Sequence, residues 1–109
     1  MDSSHGISLQ VTIFIKPEDL PKFWESFMPV YNKVIAEPEC TFFEVYQSPE
    51  EPGTLSWVEN WTESTEWLLK NQLTKPYYED YFATTTPMFI KPREVKVLNR
   101  VGLQYTMGK

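Results

Sequence analysis

The chain has 109 residues, 41% of them hydrophobic and 16% aromatic, with a formal charge of −5 at neutral pH. That length fits one domain, residues 1–109, with a core of its own but small enough to gain from a second copy. The acidic balance and the scattered basic residues exclude nucleic acid and anionic membrane as partners, because both demand clustered Lys and Arg to displace counterions. The lone Cys40 allows neither an internal disulfide nor a zinc site and fits a reducing compartment, so a cytoplasmic location is expected. No apolar run approaches the ~20 residues that span a bilayer, and residues 1–6 lack the basic and apolar regions of a signal peptide.

Residues 7–16 alternate, with Leu9, Val11, Ile13 and Ile15 on one face and Gln10, Thr12 and Phe14 on the other, which predicts a half-buried strand. Residues 1–6 before it are expected to be a mobile tail. Pro17 suits the first turn of a helix, Glu18 and Asp19 complement its positive end, and Leu20, Phe23, Trp24, Phe27, Tyr31, Val34 and Ile35 repeat at helical spacing. Pro29 is expected to kink this helix and Pro38 to set its end. Residues 41–47 and 54–61 predict two strands joined by the turn cluster Ser48-Pro49-Glu50-Glu51-Pro52-Gly53. After Trp61 the alternation gives way to helical spacing, with Thr62 as N-cap and Trp67, Leu68 and Asn71 on one face. Pro76 breaks that helix near Lys75. A short aromatic segment, Tyr77 to Phe82, then a loop at 84–88 and a last strand at 93–100 follow, leaving 101–109 as a tail or an extra edge strand.

The order βαββαβ is the split βαβ arrangement of ferredoxin-like α+β domains. Both helices lie on one face of such a sheet and leave the other bare. Phe42, Tyr46 or Trp57 on that bare face would be costly in water at roughly 25 cal/mol per Å², so a homodimer through the open sheet is expected.

Most catalytic constellations are missing from the sequence. The single histidine, His5, falls in the N-terminal tail, and none of the four glycines opens a helix after a strand, so histidine chemistry, bound metal and bound nucleotide or flavin have no visible support. Glu44 and Glu59 lie on adjacent strands, either as an acid-base pair or as solvated residues paired with Lys96, Arg93 or Arg100; the second reading is favoured. Cys40 reads as a packing residue, with no basic neighbour to activate it. Asn71 stands out, because an amide on an apolar helical stripe costs about 1 to 3 kcal/mol if buried unpaired. Either a strand, a water or exposure satisfies it, or it is the polar anchor of an aromatic pocket made with Trp61, Trp67, Tyr78 and Tyr81.

Lys16-Pro17, Ala36-Glu37-Pro38-Glu39-Cys40 leading into Phe43-Glu44-Val45, Glu59-Asn60-Trp61 and the Leu73-Thr74 step into an aromatic segment together resemble the antibiotic biosynthesis monooxygenase family over residues 9–98. The resemblance implies a dimeric α/β barrel and an activity among cofactor-independent monooxygenases of aromatic polyketides, haem-degrading enzymes and small binding proteins. Where haem-degrading members place a histidine ligand, this chain has Asn71, a poor iron ligand, although the tryptophan is retained at Trp61. The resemblance therefore implies a cofactor-free monooxygenase of an anthrone or phenol in secondary metabolism, with a polyketide cyclase or dehydratase, or a non-catalytic binding protein, as alternatives. Asn71, Tyr78 and Arg93 would act on the substrate, and Trp61, Trp67, Tyr81, Phe14 and Trp24 would line its site.

Overall fold

The computed structural model describes residues 5–109; residues 1–4 of the expected N-terminal tail lie outside the described residues. Strands β1 (Ile7–Phe14), β2 (Cys40–Gln47), β3 (Thr54–Trp61) and β4 (Glu94–Asn99) form one antiparallel sheet in the order β2-β3-β1-β4. This is the ferredoxin-like α+β arrangement that the sequence predicts. Along β1 and β3 burial alternates residue by residue, so one set of side chains faces the helices and the other the open side. Register puts Leu9 opposite Glu59 and Val97, and Val11 opposite Trp57 and Val95, on the helix side. Trp57 is therefore a core residue and does not lie on the bare face, where Phe42, Tyr46 and Leu98 remain exposed.

Helix α1 (Leu20–Ile35) follows a 3-10 turn at Pro17–Asp19 and buries Phe23, Phe27, Val30 and Val34. These four repeat at i+4, i+3 and i+4, one stripe of a 3.6-residue period. Phe27 is only 4% exposed and packs on the rings of Trp57 and Phe43, at centroid distances of 5.1 and 6.2 Å. Its burial contributes roughly 1.5 to 3 kcal/mol, and truncation to alanine would cost about 3 to 5. The helix runs without interruption through Pro29, which sits exposed on the solvent side.

The connection after β3 departs most from expectation. Ser64, not Thr62, caps α2 (Thr65–Trp67): its hydroxyl accepts from the Trp67 N–H at 3.1 Å, while the Thr62 hydroxyl bonds Glu63. The chain then widens into a π turn (Leu68–Gln72), closed by the Leu73 N–H to the Leu68 carbonyl at 2.9 Å. Helix α3 (Tyr77–Thr85) includes the aromatic segment and part of the expected loop. It starts directly after Pro76, whose φ of −61° suits that position, and Glu79 and Asp80 fill its first turn. The 3-10 turn Thr86–Met88 leads out of it.

At the chain ends, Gly6 (φ +87°) is packed so close to the Trp61 carbonyl that an added Cβ would sit 1.9 Å from it, and its own carbonyl accepts from Arg100 N–H. Gly6, the last residue of the expected tail, is thus held between the ends of β3 and β4. Beyond β4, Gly102 (φ +146°) turns the backbone out of the strand line, and a 3-10 turn, Leu103–Tyr105, takes the place of an edge strand. Among the described residues no helix is long and apolar enough to cross a membrane.

Candidate active site

A cavity of about 140 Å³ lies between the sheet and helices α1 and α3. Leu9 and Val11 of β1 form its floor with Trp57, and Phe27 and Tyr31 of α1 close one side. From α3, Tyr78 and Tyr81 close the other, and Arg93 reaches in from the segment ahead of β4. Leu73, Phe82 and Val95 line it while staying partly exposed, which marks its mouth. The enclosed room is close to the roughly 150 Å³ that holds one benzene ring in an apolar protein cavity.

One carboxylate lines this space. Glu59 is 8% exposed, and both its oxygens are held by indoles of its own strand: Trp57 Nε1–H donates to Oε2 and Trp61 Nε1–H to Oε1, each at 3.0 Å. Period-2 spacing produces this, because residues 57, 59 and 61 of one strand share a face. Desolvation pushes the Glu59 carboxyl up to about 7, against the opposing pull of the Trp61 and Trp57 hydrogen bonds. The expected pairing of Glu59 with Lys96, Arg93 or Arg100 does not form; its cross-strand neighbours are Leu9 and Phe43, and the only ion pair among the described residues is Lys75 with Glu37.

That ion pair starts a directed chain of hydrogen bonds into the cavity. Glu37 Oε2 accepts from Lys75 Nζ at 2.6 Å and from the Tyr77 hydroxyl at 2.8 Å. Tyr77, having donated, accepts from Gln72 Nε2 at 2.6 Å, and the same amide nitrogen donates to the Tyr78 oxygen at 2.9 Å. Reversing the amide would set its oxygen against a Tyr77 oxygen whose proton is already committed to Glu37. The observed orientation leaves Gln72 Oε1 buried without a partner among the described residues, while the Tyr78 hydroxyl accepts from Gln72 and stands within reach of the Tyr77 oxygen. Burial raises the Tyr78 and Tyr81 hydroxyls far above their ordinary range, so both stay protonated donors at neutral pH. Tyr77 is pushed up to about 12, by desolvation first and then by its bond to Glu37.

Of the residues singled out in the sequence, Tyr78, Tyr81 and Arg93 meet in the cavity. Arg93 stacks over Phe82 and Phe89 at 5.0 and 5.3 Å, which holds its guanidinium near the mouth. Asn71 does not join them. It is exposed, and its amide donates to the Trp67 carbonyl at 3.2 Å, because the π turn carries the buried face from Leu68 on to Gln72, which is 0% exposed. Trp61 is fully buried behind Glu59 and reaches the cavity only through that carboxylate, with Trp67 packed 6.5 Å away. Trp24 packs edge-on against Phe23 and Phe27. Phe14 falls on the opposite face of β1, beneath Lys91 at 4.5 Å. Sequence reasoning weighed Glu59 as an acid-base residue and set it aside, and it missed Gln72. The signal for Glu59 was present, in the flanking tryptophans two residues to either side; Gln72 had the i, i+4 spacing from Leu68, which competed with the same spacing from Trp67 to Asn71.

Among the described residues no group of three or more His, Cys, Asp or Glu side chains is placed to hold a metal ion. Cys40 is packed at the start of β2, and desolvation, with a smaller contribution from Glu59, pushes its thiol up to about 11.

A protein of Pestalotiopsis microspora named "Putative monooxygenase GME11364" is 32% identical to the chain over 96 residues, spanning 88% of this chain and 80% of that protein. Among solved structures, a "Putative antibiotic biosynthesis monooxygenase" of Nitrosomonas europaea superposes with a TM-score of 0.81 at 18% identity, covering 99% of both chains. One of the same name from Caulobacter crescentus gives 0.80 at 22% identity, over 92% of this chain and 94% of that one. A conserved protein of Methanosarcina mazei gives 0.78 at 21%, over 90% and 95%. At these identities the structural likeness speaks for the fold. No family model matches the chain.

Proposed function

The chain belongs to the antibiotic biosynthesis monooxygenase family, and from that premise we propose that it is a cofactor-independent monooxygenase of an aromatic, polyketide-like small molecule, an anthrone or a phenol, in secondary metabolism. The observation that carries this reading is the aromatic-walled cavity with a hydroxyl donor, Tyr78, and a cation, Arg93, on its wall. One ring of the substrate enters the enclosed part, and further fused rings rest on Leu73, Phe82 and Val95 at the mouth.

Ground-state dioxygen carries two unpaired electrons and does not react in one step with a closed-shell molecule. An anthrone that has lost its acidic C–H proton can give up one electron, and the resulting radical and superoxide then combine into a peroxide anion, which takes the proton back to become a hydroperoxide. Loss of water completes the change: the CH₂ group and O₂ become a C=O group and H₂O, with the substrate as reductant. The protein's part is to bind the ring, exclude bulk water and stabilise the anion, and preorganised donors in a site of low polarity do this far better than water. Tyr78, kept protonated by its burial, and Arg93 would receive the negative charge on the ring oxygen.

In the same proposal the domain works in the cytoplasm as a homodimer, two open sheets closing into one α/β barrel over Phe42, Tyr46 and Leu98. Sedimentation at micromolar concentration should give twice the chain mass, and Phe42→Lys should shift it toward the monomer. The activity is tested with 1,8-dihydroxyanthrone in chelator-treated buffer without flavin. One dioxygen should be consumed per anthrone, well above the buffer rate. Binding without oxygen uptake would end the oxygenase reading, and equal turnover of a polyketide precursor without oxygen would assign the cavity to a cyclase.

A further inference from the structure

Resting on that reading of the cavity, we infer that Glu59 is the proton acceptor of the site and that its ligands are therefore carbon or oxygen acids. The carboxylate lines the cavity from the middle of β3, and its two oxygens are pinned by Trp57 and Trp61 at 3.0 Å. Each carboxylate oxygen has two acceptor positions, and the indoles occupy one on each, so one further position per oxygen is open. The groups that face the same space are hydroxyls, Tyr31 from α1 and Tyr78 and Tyr81 from α3, together with the Arg93 guanidinium; the Cys40 thiol at the start of β2 feels the Glu59 charge without lining the cavity. Among these only Glu59 can take up a proton at neutral pH, since burial keeps Tyr78 and Tyr81 protonated and Arg93 is always charged.

The step is a transfer from the acidic C–H of an anthrone, or the O–H of a phenol, to a carboxylate oxygen of Glu59. The C–H bond breaks, its electron pair stays on the substrate and spreads onto the ring oxygen beside Tyr78 and Arg93, and an O–H bond forms on Glu59. The negative charge thus moves from a buried carboxylate with no ion pair onto a group with a donor and a cation at hand. The indoles serve as positioning groups, holding the carboxylate where desolvation places its titration near 7, within the range useful for a general base.

Proton abstraction can be followed without oxygen, which separates this inference from the oxygenase reading. Under argon in D₂O, NMR would follow deuterium entry at the acidic methylene of 1,8-dihydroxyanthrone with the wild-type protein, Glu59→Gln and Glu59→Asp. The wild type should exchange well above buffer, with a rate that rises through about pH 7. Glu59→Gln should lose about 100-fold or more while its affinity, read by tryptophan quenching, stays within about threefold. Exchange by Glu59→Gln at the wild-type rate would overturn the assignment, as would wild-type exchange no faster than buffer. Should Glu59→Gln not fold, the wild-type profile still decides: a rate independent of pH between about 5.5 and 8.5 contradicts a Glu59 base. Full exchange with no oxygenation in air would remove the oxygenase and leave the base.

Discussion

Glu59→Gln should make the stability of this protein less dependent on pH, and the size of the change follows from the burial of one carboxyl. Its value in the fold is about 7 against an ordinary 4.5, and at about 1.36 kcal/mol per pH unit this corresponds to about 3 kcal/mol. The sign is set by the native state holding the proton more tightly than the unfolded chain. The contribution is fully present below pH 4.5, falls as pH rises through about 7, and is gone by about pH 8.5. Glutamine cannot titrate, and its NH₂ cannot accept from an indole, so the variant leaves one of Trp57 and Trp61 unpaired at a cost of about 1 to 3 kcal/mol. In acid the variant should therefore be the less stable protein; near pH 8.5 it should match or exceed the wild type. Urea unfolding of both proteins at several pH values between 4.5 and about 8.5 measures the difference directly, with all other titrating groups in common. A difference between the two that stays constant across that range would refute the buried, uncompensated carboxylate.

Gln72→Leu should destabilise by about 1 to 3 kcal/mol, because the Tyr77 and Tyr78 oxygens lose their common donor, whereas Asn71→Ala on the surface should stay within about 0.5 kcal/mol; chemical unfolding compares them. Lys75 holds the Glu37 carboxyl below its ordinary range through their hydrogen bond, so that pair stabilises the fold above about pH 4.5 and the contribution fades as acid protonates Glu37. Lys75→Met should accordingly cost up to about 1 kcal/mol at neutral pH and nothing in strong acid, as thermal melts at both would show. Cys40, pushed up to about 11, should react with a thiol reagent at pH 8 far more slowly than free cysteine, in a stopped-flow or absorbance assay; equal rates would mean that the thiol is not desolvated at the start of β2.

What the sequence made legible is what period and punctuation encode. Alternation from Ile7 located β1 with the correct faces, alternation from Thr54 located β3 although Trp57 was set on the wrong side of it, and the stripe from Phe23 to Val34 located α1. With strand order and helix count, that carried the ferredoxin-like arrangement. The site was only half legible. Tyr78, Tyr81 and Arg93 come together because Pro76 starts a helix whose aromatic face turns toward the sheet, although the segment 77–82 alone has no strong apolar stripe. Asn71 was placed one residue away from the amide that matters, since a helical wheel assumes 3.6 residues per turn and the π turn at Leu68–Gln72 does not obey it. Glu59 was set aside on the general habit of strand carboxylates to pair with lysine or arginine, a habit that two indoles at i−2 and i+2 override.

Isotope labelling tests the central claim most directly. The wild-type protein, freed of metal by chelation and given 1,8-dihydroxyanthrone under ¹⁸O₂, should form the quinone with one labelled oxygen at the former methylene carbon and release the second label as water. Product formed at the buffer rate, or a quinone whose new oxygen comes from solvent water, would contradict it.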